Sequence, residues 1–169
     1  MLLFYRSKGD NMVKFDVIAK DIIEKDKFKS LKNEPHHGLS RYEHVMRVAK
    51  KTYFVSRILH MDYVSATRGA LLHDYFNDDD YKNTKGLKKG SMHPVIALNN
   101  ARREYCLNSK EENIIVSHMF PLGNVRPNCK ESWVVTSVDK GVALYECTRY
   151  KLKEKFVLMV TIVINFMLT

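Results

Sequence analysis

A chain of 169 residues, 45% hydrophobic and 28% charged, is long enough for one domain with a real core and too apolar for general disorder. Its formal net charge of +9 suits phosphate-bearing partners or an anionic membrane surface. The basic residues are dispersed, with no arginine-rich arm and no basic stripe interleaved with aromatics, so specific DNA or RNA binding is not expected. Cys106, Cys129 and Cys147 form no C-x-x-C pair. A disulfide framework and a thiolate zinc site are therefore not indicated, and a reducing cytoplasm fits best.

Residues 1–12 read as an extension, because the apolar patch in "MLLFYRSKGDNM" is too short for a secretory signal and no small-residue cleavage site follows. The domain proper is expected over 13–152. Apolar residues at 15, 18, 19, 22 and 23 predict a first helix from Val13 to about Lys29. "RYEHVMRVAKKTYFVSRILH" repeats the pattern at 45, 48, 49, 55, 58 and 59, started by Ser40 or the Gly38 turn. A third helix is expected over 63–76, followed by a polar loop broken by Gly86 and Gly90. A fourth starts near Ser91, with Pro94 in its first turn, where a missing N–H costs nothing.

"SKEE", Ser109 to Glu112, has the form of a capping box and predicts a helix running to about Phe120 before Pro121. A long helix is expected from about Glu131 to Leu152. Strand signals are nearly absent, so the fold class is all-α, a bundle of six or seven helices. Residues 153–169 form an apolar C-terminal helix or tail. The run from Phe156 to Thr169 would be about 21 Å long as a helix, short of the roughly 30 Å hydrocarbon core. Two readings stay open for it: burial against the domain, or contact with a membrane surface aided by the preceding lysines.

Ionisable residues on or beside apolar stripes carry the functional signal. Asp139 is flanked at helical spacing by Val135, Thr136, Val142 and Ala143, and an unpaired buried carboxylate there needs a proton, a cation or a metal. His118 follows Ile114 and Ile115, His44 precedes Val48 and Val55, and His73 lies after Ala66 and Ala70. Each alone is commonly a structural residue. Four helices each delivering an imidazole or carboxylate inward, with His73 and Asp74 adjacent, instead point to a metal. Imidazole and carboxylate without thiolate suit Fe, Mn, Zn, Ni or Co. Ligands converging from several helices are a known way to build a dimetal centre.

His44, then "HD" at His73–Asp74, then Asp139 followed by "KGVALYE", resembles the H…HD…D signature of the HD-domain metal-dependent phosphohydrolases over about residues 36–150. His93 in "MHP" and His118 in "VSHMFP" extend the pattern to H…HD…H…H…D, which is similar to the dinuclear branch. The resemblance implies an HD-domain bundle in which His44, His73 and Asp139 hold one metal, His93 and His118 hold the other, and Asp74 bridges them. It implies two divalent transition metals, Fe or Mn favoured, with Ni, Co, Zn or Mg as alternatives. The expected activity is hydrolysis of a phosphomonoester, phosphodiester or pyrophosphate bond in a nucleotide or small phosphorylated metabolite.

Two metals a few ångströms apart would lower the pKa of a bridging water toward neutrality and stabilise charge on the phosphoryl oxygens. Arg41, one turn before His44, and Lys140, after Asp139, are the expected phosphate-binding cations, Lys140 also counting among the catalytic candidates with Asp74. His37, in "EPHHGLSRYEH", is the expected proton donor or substrate contact, and Asp78 a ligand-orienting acid. Relatives that cleave cyclic dinucleotides carry Gly and Lys soon after HD, whereas Tyr75 and Phe76 stand here, which points away from that substrate. Two other readings compete: an HD-fold di-iron oxygenase, and a non-catalytic, metal-stabilised binding module. Oligomeric state is unmarked.

Overall fold

Side chains that satisfy the first unpaired N–H groups of a helix mark the starts of three helices in this chain. The computed structural model describes residues 12–36, 38–81 and 89–168, with side chains described for 12–36, 38–80 and 92–152. It is all-α, apart from one two-stranded ladder. The helices are α1 (Phe15–Ile23), α2 (Asp26–Ser30), α3 (Arg41–Ile58), α4 (Tyr63–Leu72), α5 (Lys89–Glu104), α6 (Ser109–Ser117) and α7 (Lys130–Leu168). Short 3₁₀ turns cover Leu31–Asn33 and Asp78–Tyr81. The strands β1 (Pro35–His36) and β2 (Leu39–Ser40) pair antiparallel, Pro35 opposite Ser40, around Gly38 at φ 82°, a conformation glycine adopts without strain.

Ser40 caps α3 through a reciprocal bond pattern with Glu43, and Asp62 caps α4 by accepting from the Ser65 N–H. At α6 the capping box lies one residue before the expected one. Asn108 accepts from the Glu111 N–H while the Glu111 carboxylate returns to the Asn108 N–H. The reason is competition for partners: Glu112 is taken by Arg102 at 2.6 and 2.7 Å, whereas Glu111 is buried and also accepts from Arg68.

The expected first helix is two helices with a break at Lys25, whose backbone is extended. Ile18, Ala19 and Ile22 face the core, but Phe28 would sit about 120° off that stripe in a continuous helix. Breaking the helix lets Phe28 bury completely, edge-on to Tyr42. The third helix ends at Leu72, short of the expected 76, so His73 and Asp74 lie in its closing turn. Pro94 lies inside α5, not in its first turn, because that helix begins at Lys89. Its missing N–H removes the usual donor, four residues on, to the Gly90 carbonyl in the first turn. The expected helix from Glu131 continues as one helix through Leu168.

α4 is the hub, packing against α1, α3, α5, α6 and α7. Its small residues make this possible: Ala66 and Ala70 are fully buried, and a Cβ on Gly69 would meet the Ile114 side chain of α6 at 2.7 Å. Residues 1–11 of the expected 1–12 extension, His37, loop residues 82–88 and the side chains of the expected tail at 153–169 lie outside the described residues. Among the described residues, no helix is long and apolar enough to cross a membrane. Gly69→Ala should overpack the α4–α6 contact and cost about 1–3 kcal/mol, read as a lower urea midpoint at unchanged slope.

Candidate metal centre

Helix ends leave carbonyls without intrahelical donors, and two of these carbonyls orient imidazoles here. His73 follows the last residue of α4, and its Nδ1 donates to the Ala70 carbonyl at 2.7 Å. His118 follows the last residue of α6, and its Nδ1 donates to the Ile115 carbonyl at 2.8 Å. A carbonyl can only accept, so each Nδ1 carries the hydrogen and each neutral ring presents a bare Nε2 inward. The same device, an imidazole at the helix C-terminus bonded three residues back, thus prepares two ligand atoms.

α3 and α7 supply the third and fourth groups. His44 is buried on α3, and its Nε2 lies 3.0 Å from Asp139 Oδ1 on α7. Its Nδ1 lies 2.8 Å from Glu146 Oε2, two turns along α7 from Asp139, and Glu146 is fixed in turn by Arg47. That is the carboxylate–histidine arrangement that aims a ligating ring and raises its basicity. His73 Nε2 stands 3.6 Å from Asp139 Oδ1, and one liganding atom each from His44, His73 and Asp139 falls within 4.8 Å of the others.

Asp74 faces both ways. Its Oδ2 is 3.6 Å from His73 Nε2, while its Oδ1 is 3.5 Å from both His93 Nε2 and His118 Nε2. His93 reaches in from α5, and its Nε2 lies 2.9 Å from His118 Nε2. The His118 Nε2 is bare in the neutral ring, so this close approach of two nitrogens needs a proton or a cation between them.

His73, Asp74 and His118 also form a ligand-capable group, as do His36, His44 and Asp74. The His36 ring lies 4.4 Å from the His44 ring, centroid to centroid.

Burial and charge act on the same atoms. Burial alone would push the Asp74 carboxyl up, but the imidazoles of His73, His118 and His93 outweigh it and hold it well below the usual range. Asp139 is lowered likewise, burial being outweighed by His44 and His73. His44 is drawn down by burial and raised more strongly by Asp139 and Glu146, to about 9. Burial is the main cause that lowers His93, to about 4, with the neighbouring His118 and His73 adding to it. The centre therefore combines ionised carboxylates with one imidazole, His93, that stays neutral. His44 and His73 are held toward the protonated form, so a cation would bind there by displacing their protons.

The donors fit a metal on a direct observation. His73 Nε2 and Asp74 Oδ1 are buried side-chain atoms with no hydrogen-bond partner, a costly condition that a bound cation would relieve. Buried His and Asp clusters of this kind could hold a metal ion. No cysteine belongs to any ligand-capable group among the described residues.

Thus the fold brings His44, His73, Asp74, His93, His118 and Asp139 together. Arg41 is buried beside them. Its Nη1 donates to the Phe76 carbonyl at 2.8 Å, it pairs with Glu34 and Asp78 at 3.4 Å, and its guanidinium lies 4.0 Å from the centre of the Phe76 ring. Lys140 donates to the His118 carbonyl at 2.8 Å, and burial lowers its pKa. Tyr75 turns into the core and donates to Glu104, while Phe76 packs 5.3 Å from the His93 ring.

Sequence reasoning passed over His36 and Glu146. Glu146 was legible, since it follows Asp139 by seven residues and so shares its helix face. Choosing His36 requires the register of the β1–β2 hairpin, which no sequence signal supplies. No family model, curated protein or solved structure matches the chain. Removing the orienting acid with Glu146→Ala should weaken binding of a divalent metal by about 10–100-fold while helix content stays constant, measured by metal titration beside circular dichroism.

Proposed function

We propose that this chain is a metal-dependent phosphohydrolase with two divalent transition metals, acting on a phosphomonoester, phosphodiester or pyrophosphate bond of a nucleotide or small phosphorylated metabolite. The single observation that carries the reading is the two-way Asp74 carboxylate, with one oxygen toward His73 and the other toward His93 and His118. A buried carboxylate shared between two nitrogen-rich half-sites suits a bridging ligand. The ordered set His44, His73–Asp74, His93, His118, Asp139 is similar to that of the dinuclear HD phosphohydrolases.

In this reading His44, His73 and Asp139 hold the first metal, His93 and His118 hold the second, and Asp74 serves both. Fe or Mn suits this donor set best. The metals, when bound, would supply Lewis acidity toward a phosphoryl oxygen and a water made nucleophilic near neutral pH. The remaining work belongs to the chain. Glu146 aims His44, and the Ala70 and Ile115 carbonyls aim His73 and His118. Arg41, whose charge Glu34 and Asp78 share, holds the Phe76 backbone. Lys140 holds the His118 backbone and is in this reading the cation nearest to where phosphate oxygens would approach. Phe76, against His93, shields the second half-site from solvent.

The test begins with metal content. Protein purified with Mn or Fe should carry two metals per chain, and His93→Ala about one by elemental analysis. Phosphate release is then followed over nucleotides, sugar phosphates and dinucleoside polyphosphates, with oxygen uptake recorded in parallel. Hydrolysis should disappear on chelation, return with metal, and fall by at least about a hundredfold in Asp74→Ala. Oxygen consumption without phosphate release would make the centre an oxygenase, and full metal loading without turnover would make it a binding module.

A further inference from the structure

Away from the metal centre, α3 and α7 lie side by side and leave an apolar trough between them. Phe54, Val55, Val138, Gly141, Val142 and Tyr145 line it, in a space of ≈ 570 Å³. Phe54 is 62% and Tyr145 50% exposed, so large apolar rings face water there. The spacing is regular on both walls. α3 presents Lys51, Phe54, Val55 and Ile58, and α7 presents Val138, Gly141, Val142 and Tyr145, each at i, i+3, i+4 and i+7. Two parallel ridges of that period with a trough between them match the surface on which a third helix packs.

Gly141 adds an independent sign. A glycine inside a helix costs about 0.5–1 kcal/mol relative to alanine. Where a neighbour in the same chain needs the space, the cost is explained, as at Gly69. A Cβ at Gly141 would meet nothing within 4 Å, so no part of the described chain uses the gap. It leaves a hole in the trough floor of the kind a side chain from a partner helix fills.

Charge selects the occupant. Lys50 and Lys51 border the trough, no acidic residue lines it, and neither lysine has a carboxylate partner among the described residues. A second copy of this face would bring the lysine pairs of both chains together under a net charge of +9 each, which opposes self-association. An open trough also encloses too little of a small ligand to bind it as a cavity would. We propose that the α3–α7 trough docks an amphipathic helix of a partner protein, its apolar stripe seated over Gly141 and its flank carrying glutamate or aspartate toward Lys50 and Lys51.

The probe is a fluorescein-labelled helical peptide of about 14 residues, with leucines at i, i+3, i+4 and i+7 and glutamates on the flank. Its control carries lysines in place of the glutamates. Fluorescence anisotropy with the full chain should show saturable binding of the glutamate peptide, weakened by salt, and little binding of the control. Gly141→Leu fills the hole on a helix that gains propensity. It should keep or raise the thermal midpoint while weakening the peptide by at least about tenfold. Lys50→Glu with Lys51→Glu should reverse the preference between the two peptides.

Equal binding of both peptides, or none of the glutamate peptide, would overturn the proposal. So would a dimer in sedimentation that disappears in Gly141→Leu, which would make a second copy the occupant. Binding to phosphatidylserine vesicles abolished by the same substitution would make it a membrane surface.

Discussion

One constraint organises the molecule: an ionised carboxylate, that of Asp74, stands inside the core. Moving a lone carboxylate out of water costs several kcal/mol even after relaxation, so it persists only with compensating groups around it. The fold supplies imidazoles on either side, His73 at one oxygen, His93 and His118 at the other. Bringing them there requires α4 to touch α5 and α6 closely, and Gly69 against Ile114 is where that closeness is visible. The chain just after Asp74 is held from two directions. Asn100 of α5 donates to the Tyr75 carbonyl and Arg41 of α3 to the Phe76 carbonyl, so the position of the carboxylate is set by several elements together.

The two halves around Asp74 are not equivalent. The His44–His73 side has its own carboxylate, Asp139, and a second one in contact with His44 through Glu146. The His93–His118 side has only its share of Asp74, besides a lysine ammonium on the His118 carbonyl. Charge count alone makes the first half the stronger cation trap. The second half depends on the bridge, because two imidazoles 2.9 Å apart repel further protonation and rely on Asp74 for negative charge. This asymmetry explains the opposite pKa directions of His44 and His93 despite similar surroundings.

Much of this was legible before any coordinates. The all-α class follows from sustained 3.6-residue periodicity, and the suspicion of a metal from titratable groups on apolar stripes. Asp139 was visible because its helical neighbours are valines, and "HD" because an apolar run leads into it. What escaped depends on three dimensions. The α1–α2 break turns on the direction in which Phe28 must bury, which a one-dimensional stripe does not encode. The α6 cap turns on Arg102 and Arg68 claiming different glutamates. Arg41 and Lys140 read as phosphate-binding cations, yet both are tied to backbone carbonyls, and Arg41 also to Glu34 and Asp78. A sequence marks a charge, whereas its partner is set by folding.

α7 carries two different messages on two faces. Val135, Asp139, Val142 and Glu146 recur at three- and four-residue steps and point toward the core, where they are buried. Val138, Gly141 and Tyr145 recur with the same period on the adjacent face, toward the trough. α7 already packs against α3, α4 and α6 through its buried face. Its second stripe, shared with Phe54 and Ile58 of α3, is apolar surface that folding of the described chain leaves exposed. Arg47 of α3 pairs with Glu146 on the buried face of α7, joining the two helices and holding His44. A helix seated in the trough would therefore press on the helix pair that carries His44 and Asp139, one layer away from the candidate metal ligands.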